Sequence, residues 1–169
     1  MNPETNTFFT FEESILEMFR VSDVTHLTIH DDDTESSNAT TVGSLITIGD
    51  DYLANATKLS IARTMIHESV HAYINAMYSN VIEFDSFSFR AKIEKYAEDN
   101  GYTIGTNEFH HEFMGQYVDA MAISLLKWDT DYGTGGNLGW YYYKSLAYSG
   151  MFEIDANTGL IDNETDSFE

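Results

Sequence analysis

The chain contains no cysteine, so disulfides, thiolate nucleophiles and cysteine-held metals are excluded together, and any metal must rest on His, Asp or Glu. Basic residues are scarce as well. Eight Lys and Arg stand against 28 Asp and Glu, a formal charge of −20 that repels phosphate backbones and anionic lipid headgroups. Nucleic acid and membrane are therefore not expected as partners, and the plain use of the charge is solubility. The opening "MNPETNTFFTFEES" has neither a basic region nor an apolar run, and no later segment approaches membrane-spanning length. A cytoplasmic chain is the default expectation, with a secreted form left open. The sequons at Asn38, Asn55 and Asn163 are too common a pattern to argue for secretion.

No internal repeat, low-complexity tract or composition shift divides the chain. At 169 residues with 43% hydrophobic content it is expected to form one domain over 1–169, frayed after about residue 152. Thr10 with Glu13 forms a capping box, and Ile15, Leu16 and Phe19 give a short first helix one apolar face. The β-branched run from Val24 to His30 reads as a strand ending in the acidic turn "DDDTESSN". "SLITIGD" from Ser44 reads as a second strand, paired with the first as a hairpin across a long polar loop.

From an N-cap at Asn55 or Thr57, the positions Leu59, Ala62, Ile66, Val70, Tyr73 and Met77 step by three or four, the spacing of a long amphipathic helix. A charged helix from about Phe89 to Asp99 stops at Gly101, and Asn107 caps a further helix with a broad apolar face through Leu126. The Gly-rich "DTDYGTGGNLG" is a turn region before a last helix, "WYYYKSLAYSG", closed by Gly150.

The chemistry concentrates in "TMIHESVHAYIN". Residues four apart on a helix lie one above the other, so His67 and His71 offer imidazole nitrogens to one point in space. Glu68, one residue round, is placed to reach a water on an ion held there, which is where a general base is needed. Two histidines leave too few ligands for a hydrolytic zinc site, so a third must come from elsewhere. His26 and His30 lie in or beside the first strand, whereas His110, His111 and Glu112 stand near the start of the later helix. The helical group is the better source. His111 shares a stripe with Gly115, Val118 and Ala122, a small-residue face on which another helix can approach, while His110 leans towards Phe113, Tyr117 and Met121. His111 is the favoured third ligand, with His110 and Glu112 as alternatives.

"RTMIHESVHAYI" followed about forty residues later by "HHEFMGQYVDAMA" resembles the SprT-like group of zincin metallopeptidases, in particular the small zinc metallopeptidases of Bacteroidetes and their phages. "ITIGDDYLANATKLSIA" and, more loosely, "YYKSLAYSGM" extend the resemblance to roughly half the chain. It implies an α+β, zincin-like fold, mostly helical with a small sheet beside the motif helix, and a Zn2+ cofactor on His67, His71 and the His-Glu-x-Met segment that starts at His111. It also implies an edge strand before that helix, here "SLITIGD", on which an extended peptide or protein substrate pairs by main-chain hydrogen bonds. Better-known SprT-like proteins act at DNA or carry a cysteine-based zinc ribbon. An acidic chain without cysteine does not inherit that branch of function.

The reaction expected on such a site is peptide-bond hydrolysis, with zinc lowering the pKa of its water and Glu68 as general base. Tyr141, Tyr142, Tyr143 and Tyr148 are oxyanion donors in principle, though aromatics at helical spacing usually fill a core, and none is assigned. Asp119 or Glu112 is within sequence reach of a ligand imidazole, yet surface carboxylates are the commoner outcome. "DDDTES" and "DANTGLID" carry oxygen ligands without the full spacing of a calcium loop and read as turns. The rival to an enzyme is a non-catalytic peptide-binding protein on the same scaffold; the intact Glu68 leans against it, because such a scaffold has no use for a base there.

Overall fold

Why the acidic stretch folds rather than dangles is answered by the order of three short strands, β1 (Thr28–Asp32), β2 (Ala39–Val42) and β3 (Leu45–Gly49). In the computed structural model, which describes residues 19–23, 25–35, 37–78, 89–99, 101, 103 and 114–148, they form one mixed sheet in the order β1-β3-β2. β1 runs parallel to β3, with Ile29 opposite Ile46, and β2 runs antiparallel to it, with Val42 opposite Leu45. The expected hairpin between the first strand and "SLITIGD" is thereby overturned. The first strand begins at Thr28 rather than Val24 and runs on into the acidic segment. The hairpin partner of β3 is β2, whose connection is the two-residue Gly43-Ser44 with Gly43 at φ 60, the positive value that tight hairpin turns require.

"SLITIGD" is also not an edge strand, since β3 is paired on both sides and Asp50 already belongs to the helix that follows. A parallel pair needs a crossover, and here it passes over the end of β3. Asp32 Oδ1 accepts from the N–H and hydroxyl of Thr34 at 2.7 Å each. Glu35 accepts from the N–H and hydroxyl of Ser37 and from Thr40 Oγ1 at 2.8 Å. Beneath this loop the Gly49 N–H donates to Asn38 O at 3.2 Å, and a Cβ on Gly49 would lie 2.8 Å from Ser37 O. The loop crosses there because no side chain is in the way.

Among the described residues, five helices follow β3: α1 (Asp50–Asn55), α2 (Lys58–Met77), α3 (Phe89–Asp99), α4 (Met114–Tyr132) and α5 (Trp140–Tyr148). The short α1 was not anticipated. It takes Asn55 as its own last residue, so Thr57 is the cap of α2, its hydroxyl accepting from the Ser60 N–H at 3.1 Å. α3 and its Gly101 terminus, at φ 90, fall where the sequence puts them. α4 continues through Tyr132, so the "DTDY" expected to turn is helical. Residues 19–21 are helical and Phe19 is buried, while the rest of the expected first helix, the Asn107 cap, Gly150, "DANTGLID" and the tail lie outside the described residues.

α2 is the central element, packed against β2 and β3 on one side and against α4 and α3 on others. Val70, Ala72 and Ile74 share a buried cluster with Val118, Met121, Ala122 and Leu125, and small residues such as Ala72 and Ala122 let the backbones close. Met77, expected on the apolar stripe, is instead half exposed at its C-terminal end. α5 is locked to α4 through a buried carboxylate. Asp129 accepts from Tyr143 Oη at 2.6 Å, from the Thr134 N–H at 2.9 Å and from the Gly136 N–H at 3.1 Å, so the Gly-rich segment folds around one side chain. Among the described residues no helix is long and apolar enough to cross a membrane.

Candidate metal centre

Helix α2 carries its polar stripe into the interior. His67 and Glu68 are buried, at 4% and 8% exposure, and His71 is half-buried. The two imidazoles meet: His67 Nε2 and His71 Nε2 are 2.9 Å apart, one ring N–H donating to the other, with ring centroids 4.7 Å apart. A ligand atom from each of His67, Glu68 and His71 lies within 4.8 Å of the others.

The chemistry of these donors suits a borderline metal. Burial pulls the His67 pKa down to about 3, helped by the Arg63 charge, and burial pulls His71 well below its ordinary value, helped by the charges of His67 and Lys92. Both rings are thus neutral at pH 7, the form in which imidazole binds a metal. Tetrahedral zinc with nitrogens at about 2.0–2.1 Å holds its donors about 3.3 Å apart, and the two Nε2 atoms stand 2.9 Å apart. Among the described residues, His67, Glu68 and His71 form a group whose donor chemistry is compatible with a metal ion.

Glu68 is governed from the sheet. Burial raises its pKa, while a hydrogen bond from Thr41 and the Arg63 charge oppose that rise. Thr41 Oγ1, on β2, donates to Glu68 Oε2 at 2.7 Å and lies 3.3 Å from Glu68 O. One turn beyond His71, Asn75 Nδ2 donates to Gly43 O at 3.1 Å, and Asn75 Oδ1 accepts from Lys92 Nζ at 2.8 Å. The motif helix, the hairpin turn and α3 are thereby held in one arrangement. Sequence reasoning missed Thr41 and Asn75 because neither matters until β2 is known to be a strand.

Of the residues singled out from sequence, His67, Glu68 and His71 come together. His111, His110 and Glu112 lie outside the described residues. His30 is not near the cluster; it bonds Thr47 Oγ1 at 2.8 Å on the sheet face opposite the buried Ile46 and Ile48. Asp119 pairs with Lys144 at 2.6 Å, joining α4 to α5 rather than orienting an imidazole. Tyr143 is committed to Asp129, while Tyr141, Tyr142 and Tyr148 are exposed. Of "DDDTES", residues 31–35 are described: Asp31 and Asp32 end β1, and Asp32 accepts from Thr34 in the turn that follows. Compared with known protein families, curated proteins and solved structures, the chain gives no match.

Proposed function

We propose that the protein is a zincin-type zinc metallopeptidase of SprT-like kind that hydrolyses peptide bonds, with His67, His71 and His111 holding Zn2+ and Glu68 as general base. The observation that carries this reading is the hydrogen-bonded His67–His71 pair, His67 buried and His71 half-buried, with the buried Glu68 carboxylate beside it on the same helix. A buried glutamate next to two desolvated imidazoles is costly for a fold to keep without a charge to serve. His111 is chosen on sequence spacing: it stands seven residues before Val118 and eleven before Ala122, which share a buried cluster with Val70 and Ala72 of α2.

Zinc, when bound, supplies a water of near-neutral pKa and a Lewis acid for the scissile carbonyl. The chain's own residues do the rest. Glu68 accepts the proton of the attacking water and returns it to the departing amine. His67 and His71, held neutral by burial, stay ligands rather than titrating. The substrate is an extended peptide added to an exposed strand edge, and the edge beside Glu68 is β2, not β3.

The test is metal analysis of the purified protein beside Glu68→Gln, with casein or a peptide library as substrate. One zinc per chain is expected in both, and hydrolysis in the variant is expected to fall by about a thousandfold. Equal hydrolysis by the two proteins overturns the reading.

A further inference from the structure

The phase of the β2–β3 ladder decides what β2 offers on its other side. The Gly49 N–H donates to Asn38 O, so residues 38 and 49 form a hydrogen-bonded pair. Such pairs alternate with unbonded ones along an antiparallel ladder, so Thr40 with Thr47 and Val42 with Leu45 exchange ladder bonds, whereas Ala39 and Thr41 turn their N–H and C=O groups away from β3. The two-residue connection after Val42 requires the same phase. Among the described residues no strand covers that edge. Thr41 thus has its hydroxyl on Glu68 and its main-chain donor and acceptor at a sheet edge that no described strand covers.

We propose that Thr41 positions the base and sets the register of the substrate: its hydroxyl holds Glu68 Oε2, and its N–H and C=O bond the one substrate residue lying across from it. This rests on the peptidase reading above. The single hydroxyl hydrogen goes to the shorter contact, at 2.7 Å, which leaves Glu68 Oε1 to take the proton of the water. Thr41 keeps its own proton throughout. Asn75 holds the Gly43 end of the same strand, so the edge and the base are fixed to one another at two points.

A substrate class follows from the register. A peptide antiparallel to β2 meets Val42 first and Thr40 two residues later, and the side chains at both positions fall on the outer sheet face. Val42 is 77% exposed there and favours an apolar neighbour, while the Thr40 hydroxyl is bonded to the Glu35 carboxylate, whose charge favours a cation. The preferred segment reads, from its N-terminal side, apolar residue, any residue, then Lys or Arg.

The experiment profiles a peptide library with the zinc-loaded full chain and with Thr41→Val, Thr41→Ser, Val42→Glu and Glu68→Gln, and measures zinc affinity by chelator competition. Thr41→Val is expected to lower kcat by about tenfold or more with KM within about threefold and zinc affinity unchanged, and Thr41→Ser to restore kcat to within about threefold. Val42→Glu is expected to convert the apolar preference into a basic one. Wild-type kcat in Thr41→Val beside an inactive Glu68→Gln overturns the role of Thr41 alone, and so does a cleavage profile that Val42→Glu leaves unchanged. Should Thr41→Val lose its cooperative melt, the Val42→Glu profile decides, because that side chain is on the surface. Equal activity in Glu68→Gln and wild type sinks the peptidase reading and this inference together.

Discussion

Two imidazoles four residues apart stay uncharged because α2 is packed on several sides, and that has a cost that appears on acidification. The His67 pKa in the folded protein, about 3, lies below its ordinary 6.5, so the unfolded chain takes up protons first as pH falls. Metal-free protein is therefore fully stabilised by the neutral pair above pH 6.5 and loses stability as pH drops from 6.5 towards 3, by about 1.4 kcal/mol per pH unit for one such group. Urea melts of chelator-treated protein at several pH values measure it, and His67→Gln is expected to flatten that part of the curve. A slope unchanged in the variant would show that His67 is not buried in neutral form. The third ligand is tested at the same scale. His111→Ala is expected to lose zinc at concentrations where His110→Ala keeps it; the reverse result would make His110 the ligand.

Elements were legible in the sequence where one apolar period ran long enough to exceed local noise. α2 shows it, and so does α4 over Met114–Tyr132, while α3 is marked by its charged run and the Gly101 stop. The sheet was harder, since strands of four or five residues carry little periodic signal and the acidic composition of residues 31–38 suggested a loop. The hairpin is nonetheless written in "ATTVGSLITI", two β-branched runs on either side of Gly43-Ser44; the expected partner of β3, β1, does pair with it, but parallel rather than as a hairpin. The histidine pair and its glutamate were readable because α-helix geometry fixes side-chain direction; Thr41 was not, because its contact with Glu68 spans two elements. The crossover supplies an element-scale prediction. Gly49→Ala sets a methyl group against the Ser37 and Glu35 carbonyls and is expected to cost about 1–3 kcal/mol in urea unfolding, whereas Gly43→Ala, with open space around it, is expected to cost about 1 kcal/mol through its positive φ alone. The clamp on α5 gives another. Burial would raise the Asp129 carboxyl, but its hydrogen bonds from Thr134, Tyr143 and Gly136 hold it at about 2, so its contribution is present above pH 3.8 and is lost as pH falls through 2. Asp129→Asn is expected to melt lower than wild type at pH 7, with the gap closing towards pH 2.

Over the whole molecule the charges are distributed against the average. Of only eight basic residues, Arg63 and Lys92 both act on the candidate site, depressing the pKa values of His67 and His71 in turn. Carboxylates crowd elsewhere: Asp50 is raised by burial and then by Asp31, Asp33, Asp32 and Asp51, which gather where β1, its crossover and α1 begin and end. Self-repulsion at −20 opposes the compact state and is screened over about 10 Å at 0.1 M salt. Raising NaCl from about 10 mM to about 300 mM is therefore expected to raise the melting temperature, and Asp50→Asn is expected to reduce that gain. The same field attracts cationic peptides from solution, so kcat/KM for a Lys- or Arg-containing substrate is expected to fall over the salt range in which the fold becomes more stable. A neutral peptide of equal length, measured in parallel, separates the two effects: its kcat/KM is expected to stay level. Parallel decline of both substrates would trace the salt effect to the site itself rather than to the long-range field of the acidic surface.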